Sequence, residues 1–320
     1  MVWQRARFLS VALVGSALLW PSAGLAKSSN PDMEGARDAV RFQLVHDYLI
    51  VVPVMVNGTG PWNFLLDTGC TSSMISVELQ RQLNAPDVGH SDVALLTEMR
   101  RDQRVLLNDV RVGNTIFAGL QVLADKMDNV RNLVPGLNGI LGEDFLSQFD
   151  VLIDYDKRWL YIDAPAPEGE RVPFQARSTY KENRTMNRLL VKAEFLGTQS
   201  GPVALQIDTA AWMTELFPTS RVSLLHLSYG SQAGARLAAS GGPGAMPVYE
   251  HTAMKIGRTE LHELNVAQSR REVVSDAAGL LPAVLFHRIY ISHTGGFVVL
   301  NPRVKKEPRQ KVELAELGRQ

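Results

Sequence analysis

The sequence predicts an all-β protein built as two related lobes, and three observations carry that prediction. Its apolar runs are short, rich in branched residues and punctuated by turn signals, as in Phe42-Gln43-Leu44-Val45 and Leu49 to Val56, the latter closed by Asn57-Gly58-Thr59-Gly60. One such run, Phe64-Leu65-Leu66, ends abruptly in Asp67-Thr68-Gly69 and then in small polar residues, which reads as a strand delivering a carboxylate to a tight loop. The pattern then recurs. Gly201-Pro202-Val203-Ala204-Leu205-Gln206-Ile207-Asp208-Thr209-Ala210 repeats Gly60 to Gly69, with the two aspartates 141 positions apart.

One Asp-Thr-Gly is a weak signal, because three common residues recur by chance. Further echoes in the same order make it a duplication. Gly139-Ile140-Leu141-Gly142 returns as Gly279-Leu280-Leu281-Pro282, Val110-Arg111-Val112-Gly113-Asn114-Thr115 as Met254-Lys255-Ile256-Gly257-Arg258-Thr259, and Val151-Leu152-Ile153-Asp154 as Ile289-Tyr290-Ile291-Ser292.

In chain order, residues 1–26 read as a signal peptide: Arg5 and Arg7 precede an apolar run from Phe8 to Trp20, and small residues lead to a cleavage position before Lys27. That run is shorter than the ~20 residues of a spanning helix, so no membrane span is expected after cleavage. Residues 27–40 form a polar extension, 41–163 the first lobe, 164–171 a Pro- and Gly-containing linker, 172–302 the second, more divergent lobe, and 303–320 a charged tail. Within the first lobe, a short helix is expected over 74–84 and alternating strands over 93–124. Ser240-Gly241-Gly242-Pro243-Gly244 is a loop tip in the second lobe.

Composition limits what these motifs can mean. A chain of 320 residues suits roughly two domains, and 33 basic against 33 acidic residues leave no charge excess to recruit nucleic acid. The seven histidines show no metal-ligand spacing and read as surface or packing residues, and the single cysteine, Cys70, excludes a thiolate zinc site. No metal and no cofactor is expected. Cys70 has no recognisable histidine partner and sits where a small buried side chain is needed, so packing is favoured over nucleophilic chemistry.

Together, Leu65-Leu66-Asp67-Thr68-Gly69, Ile140-Leu141-Gly142-Glu143-Asp144-Phe145-Leu146 and the second Asp-Thr loop resemble the pepsin and retropepsin-like aspartic peptidases, in particular the bacterial exported, two-lobed members. The resemblance covers most of residues 40 to 302. It implies a bilobal, pepsin-like architecture of two retropepsin-like β-barrel lobes and a monomer with an internal pseudo-twofold. It also implies a catalytic pair, Asp67 and Asp208, supported by Thr68, Gly69, Thr209 and Ala210. The charged stretch Glu98 to Arg104 would then belong to a hairpin flap over the substrate, the other reading being a solvated loop.

The chemistry implied is hydrolysis of peptide or protein substrates. Two carboxylates in hydrogen-bond reach, about 3 Å, cannot both ionise cheaply, so they share a proton. One then takes a proton from a bound water while the other protonates the peptide carbonyl oxygen. The expected protein is a periplasmic or secreted aspartic endopeptidase. The alternative is an inactive peptide-binding module that keeps the bilobal cleft, motivated by Ala210 in place of glycine, by Pro282 in place of a second Gly142, and by Ala211-Trp212-Met213 in place of Cys70-Thr71-Ser72.

Overall fold

A computed structural model describes residues 35–94, 99–180, 184–220, 247–269 and 277–302, together with Val222, Leu224 and Val273. The first half carries β1 (Asp38–Arg41), β2 (Gln43–Val45), β3 (Leu49–Val56), β4 (Thr59–Leu66), β5 (Met74–Ser76), α1 (Val77–Leu83), β6 (Asp87–Ala94), β7 (Met99–Val112) and β8 (Thr115–Asp125). It continues through α2 (Asp128–Leu133), β9 (Gly139–Leu141), α3 (Glu143–Leu146), β10 (Val151–Asp154) and β11 (Trp159–Ile162). The second half carries β12 (Val172–Tyr180), β13 (Arg184–Phe195), β14 (Val203–Asp208), β15 (Thr214–Leu216), β16 (Val248–Ile256), β17 (Thr259–Gln268), β18 (Gly279–Pro282), β19 (Phe286–Ser292) and β20 (Phe297–Pro302). The protein is all-β, with helices confined to short turns between strands.

The duplication seen in the sequence reappears as one pairing scheme used twice. In the first half β3 pairs with β4, β4 runs parallel to β9, β9 antiparallel to β5, β5 parallel to β8, β8 pairs with β7, and β7 returns to β3, closing a six-stranded barrel. The second half repeats every step with β13, β14, β18, β15, β17 and β16. Closure removes the free edges that an open sheet of this length would expose. Alternation along the strands turns Ile50, Val52, Val54 and Val56 into one barrel, and Leu189, Val191, Met254 and Ile256 into the other.

Local chemistry accounts for the turns. Asn57 and Gly58 both have positive φ, 49° and 73°, as a tight hairpin between β3 and β4 requires, and Gly113 takes φ 62° in the β7–β8 turn. Helix α1 is capped by Ser76, whose hydroxyl accepts from the Leu79 N–H, and ends on left-handed Asn84. This agrees with the short helix expected over 74–84.

Two expectations need correction. The sequence echo suggests that each half closes its own lobe with its last strands. Instead β10 of the first half pairs antiparallel with β19 of the second, so that β1, β11, β10, β19, β20 and β12 form a shared sheet joining the barrels. The reason is burial on both faces: Leu152, Tyr161, Tyr290 and Val299 pack together as a small core of their own. Secondly, Met99 to Arg104 is strand, paired with β6 from Ala94 back to Gly89, and not a solvated loop. Arg100 bonds Asp102 through Nε and Nη2, at 2.6 and 2.7 Å, and Nη2 also reaches Asp125, so the charges serve the hairpin itself. Residues 95–98 and the stretch Ser240 to Gly244, read from the sequence as a loop tip, lie outside the described residues.

Candidate active site

The two Asp-Thr loops leave their barrels at matching points and meet. Strand β4 ends beside β9, with Leu66 opposite Leu141, and the Asp67 N–H donates to the Leu141 carbonyl at 3.0 Å. Strand β14 ends beside β18 in the same way, Asp208 lying opposite Pro282. Each threonine then crosses to the other loop. The Thr68 N–H donates to Thr209 Oγ1 and the Thr209 N–H to Thr68 Oγ1, both at 3.1 Å. The hydroxyls continue outward, Thr68 Oγ1 donating to the Ile207 carbonyl at 2.9 Å and Thr209 Oγ1 to the Leu66 carbonyl at 2.7 Å. Four reciprocal bonds between fully buried groups fix one loop against the other.

This brings the carboxylates together. A Cβ placed on Gly69 would lie 2.7 Å from Asp208 Oδ2 and 2.9 Å from Asp67 Oδ1, so both groups border one point in space. Asp67 Oδ1 also accepts from the Gly69 N–H at 2.8 Å, and Asp208 Oδ1 from the Ala210 N–H at 2.7 Å. Burial, followed by the nearby charge of Asp208, raises the Asp67 pKa to about 8, and burial raises that of Asp208 to about 6. The pair therefore holds a single proton across neutral pH.

The glycine and alanine of the two loops differ for a steric reason. Gly69 does not have positive φ, so it is required for room and not for backbone angle. Ala210 also avoids positive φ, and the residue is 5% exposed, packed in the first-lobe cluster that includes Leu49, Leu65, Met74 and Ile140. The second loop accommodates the extra carbon at an apolar seam. Cys70 donates its thiol to the Ser72 carbonyl at 3.3 Å, and burial, then the Asp67 charge, pushes its pKa well above the ordinary value, so the thiol stays protonated.

Behind the loops the lobes diverge. In the first, Ser73 Oγ accepts from the Gly142 N–H at 3.0 Å and donates to Asp144, which also takes the Ser73 N–H at 2.8 Å. In the second, the matching residues are Thr214, Pro282 and Val284; proline has no N–H, valine accepts nothing, and Thr214 Oγ1 is buried without a partner among the described residues. Gln206 provides a different brace, donating from Nε2 to the Gly69 carbonyl at 3.0 Å and accepting from Arg188 Nη1 at 2.8 Å.

Sequence reading singled out the aspartates and their loops but missed Gln206, Tyr48, Glu143 and His293. Gln206 had a signal, a polar residue interrupting the apolar run Val203 to Ile207. Tyr48 had little. It follows the left-handed residues His46 and Asp47, packs on the cluster containing Ala210, and has its phenol pKa raised by burial and by the Asp208 charge. No group of three or more His, Cys, Asp or Glu side chains able to hold a metal occurs among the described residues, nor any helix long and apolar enough to cross a membrane.

Residues 52–145, which include the Asp67 loop and the Gly142 turn, match the family described as aspartyl protease. Over these residues the chain is similar to the aspartyl proteases. The match to this family ends within α3, before the second Asp-Thr loop. The crystal structure of a retropepsin-like aspartic protease from Rickettsia conorii is similar at 20% identity over 39% of this chain and 87% of that one, with a TM-score of 0.27. No curated protein matches the chain.

Proposed function

We propose that this protein is a retropepsin-like aspartic peptidase, a periplasmic endopeptidase in which Asp67 and Asp208 are the catalytic pair. The observation that carries the proposal is the reciprocal threonine bracket, which presents two carboxylates to the same point at Gly69. A water held between them loses a proton to the ionised member while the protonated member donates to the scissile carbonyl oxygen; no covalent intermediate is needed. Thr68, Gly69, Thr209 and Ala210 support the loops as described. The endopeptidase reading rests on a dyad at the junction of two lobes, where an extended chain is addressed from both sides, and the monomer reading on a pair supplied entirely within one chain. Export rests on the basic, apolar and small-residue order of residues 1–26. An inactive binding module is disfavoured, because a cleft freed from catalysis has no need of two buried carboxylates braced at this cost.

The test uses the chain from Lys27 onward with peptides blocked at both ends, from pH 3 to 9, beside Asp67→Asn and with a transition-state-mimicking hydroxyl inhibitor. Cleavage by the parent alone, suppressed by the inhibitor, is expected. Equal cleavage by Asp67→Asn, or none by either, would overturn the dyad reading. N-terminal sequencing of the exported protein checks the cleavage near Lys27.

A further inference from the structure

The two loops are bracketed alike by threonine but stand on different ground. Behind Asp67 lies α3 with Glu143 and Asp144; the matching positions behind Asp208 hold Ala283 and Val284, so only the first lobe puts acid there. Glu143 is 1% exposed, and its N–H donates to the Cys70 carbonyl at 2.9 Å, which fixes it to the loop of Asp67. Its side chain points to the second lobe. Glu143 Oε2 lies 3.1 Å from Nε2 of His293, and Glu143 Oε1 is buried with no partner among the described residues.

His293 sits in the turn between β19 and β20, its side chain 6% exposed. Its Nδ1 is 2.8 Å from the Phe149 carbonyl oxygen; a carbonyl only accepts, so Nδ1 carries a hydrogen and Nε2 is left to face the carboxyl group. The ring meets Phe174 edge to face. The same turn is pinned by Asp150, which accepts from Tyr290 Oη, Ser292 Oγ and both the N–H and hydroxyl of Thr294. The charged groups around the pair are thus Asp144 on the helix of Glu143, Asp67 in front of it, and Asp150 beside His293.

We infer that Glu143 and His293 are a positioning pair for the dyad: an imidazolium from the second lobe holds a carboxylate behind Asp67, and that fixed negative charge keeps the shared proton on Asp67 and leaves Asp208 as the base. The catalytic roles in this statement rest on the peptidase reading above; the ion pair does not. Burial opposes a cation at His293, but the hydrogen bond and charge of Glu143 outweigh it and the imidazole pKa is raised. Burial also raises Glu143, with His293 opposing. Placing the proton on the imidazole is the arrangement favoured by Asp150, whose hydrogen bonds overcome its own burial and hold it ionised. Asp67 is raised first by burial and then by the charge of Asp208, to which the charge of Glu143 adds the smallest share, whereas Asp208 is raised by burial and meets only the opposing N–H bonds of Ala210 and Ala211.

The experiment has two arms. In the unmodified protein, nitrogen chemical shifts of the His293 ring should show both nitrogens protonated through pH 7; a neutral ring at pH 7 would overturn the inference without any variant. Carboxyl-carbon titration of Asp67 should then move to lower pH in Glu143→Gln, which keeps an acceptor for His293, and likewise in His293→Gln. The alkaline limb of kcat/KM for a blocked peptide should move in the same direction, with kcat carrying the change and KM holding. An Asp67 titration that stays put in a folded Glu143→Gln protein would reduce the pair to a structural contact. Should that variant not fold, the ring shifts and His293→Gln decide. If the titrations behave as stated but the parent cleaves nothing, the peptidase reading fails and the electrostatic pair stands.

Discussion

The most informative perturbation exchanges the third residues of the two loops. In Gly69→Ala the new Cβ would sit 2.7 Å from Asp208 Oδ2, 2.8 Å from its Cγ and 2.9 Å from Asp67 Oδ1. Real Cβ atoms do not approach heavy atoms so closely, and the atoms in the way are those of the dyad. A carboxylate displaced by about 1 Å costs on the order of 100-fold in rate, or ~2.7 kcal/mol in the barrier. Ala210→Gly, by contrast, removes a methyl from an apolar seam at a residue without positive φ. The lost burial is worth ~0.8 kcal/mol and the added freedom of the unfolded chain ~0.4–1 kcal/mol, so stability should fall by ~1–2 kcal/mol. Its effect on kcat/KM should stay below about tenfold, since the methyl removed packs among the apolar side chains of that seam. Steady-state kinetics on a blocked peptide, paired with thermal unfolding, separates the two effects. Gly69→Ala retaining activity within tenfold of the parent would refute the steric reasoning, and so would robust cleavage that appears only on Ala210→Gly.

Three further outcomes follow from the same geometry. Either Asp67→Asn or Asp208→Asn should remove nearly all peptidase activity, and the parent should be most active near neutral pH, between the values of about 6 and about 8 that bracket the one-proton state; an optimum near pH 3 would contradict this. Because both carboxyls are raised on folding, the stability they confer is present below the ordinary carboxylate range and is lost as pH climbs through about 6 and about 8. Unfolding temperature should therefore drop between pH 4 and 8, and Asp208→Asn should remove ~3 kcal/mol of that dependence. Thr214→Val, which deletes a buried hydroxyl without a partner among the described residues, should stabilise by ~1 kcal/mol, whereas Ser73→Ala should destabilise by ~1–3 kcal/mol; denaturant titration reads both.

Much of the fold was legible because its signals are local. Strand-turn punctuation, the repeated Asp-Thr and the apolar-apolar-Gly or Pro echo each lie within ten residues and translate directly into paired strands. The partnership of β10 with β19 was not legible, since two similar apolar runs such as Val151 to Asp154 and Ile289 to Ser292 fit either their own lobe or each other equally well. At the site, the aspartates and threonines stand in a recognisable order, but Glu143 and His293 are separated by 150 positions and become partners only when the two halves pack. A buried histidine and an exposed one look alike in a sequence without periodicity to betray the inward face. Gln206 is the intermediate case: its polarity inside an apolar strand was visible, and its target, the Gly69 carbonyl, was not.

The shared sheet bears on how such a chain can be taken apart. Strand β10 is flanked by β11 on one side and β19 on the other. A fragment ending at residue 163 would keep its closed barrel but expose the β10 edge from Val151 to Asp154, and with it Leu152, whose packing partners include Tyr290 and Val299 of the missing half. Unpaired edges of this kind recruit the nearest compatible strand. A second copy of the same fragment offers one, running antiparallel across a dimer axis, and it would also bring a second Asp67 loop toward the first. Cutting this protein at its linker thus amounts to asking whether a half can complete its active site with its own twin.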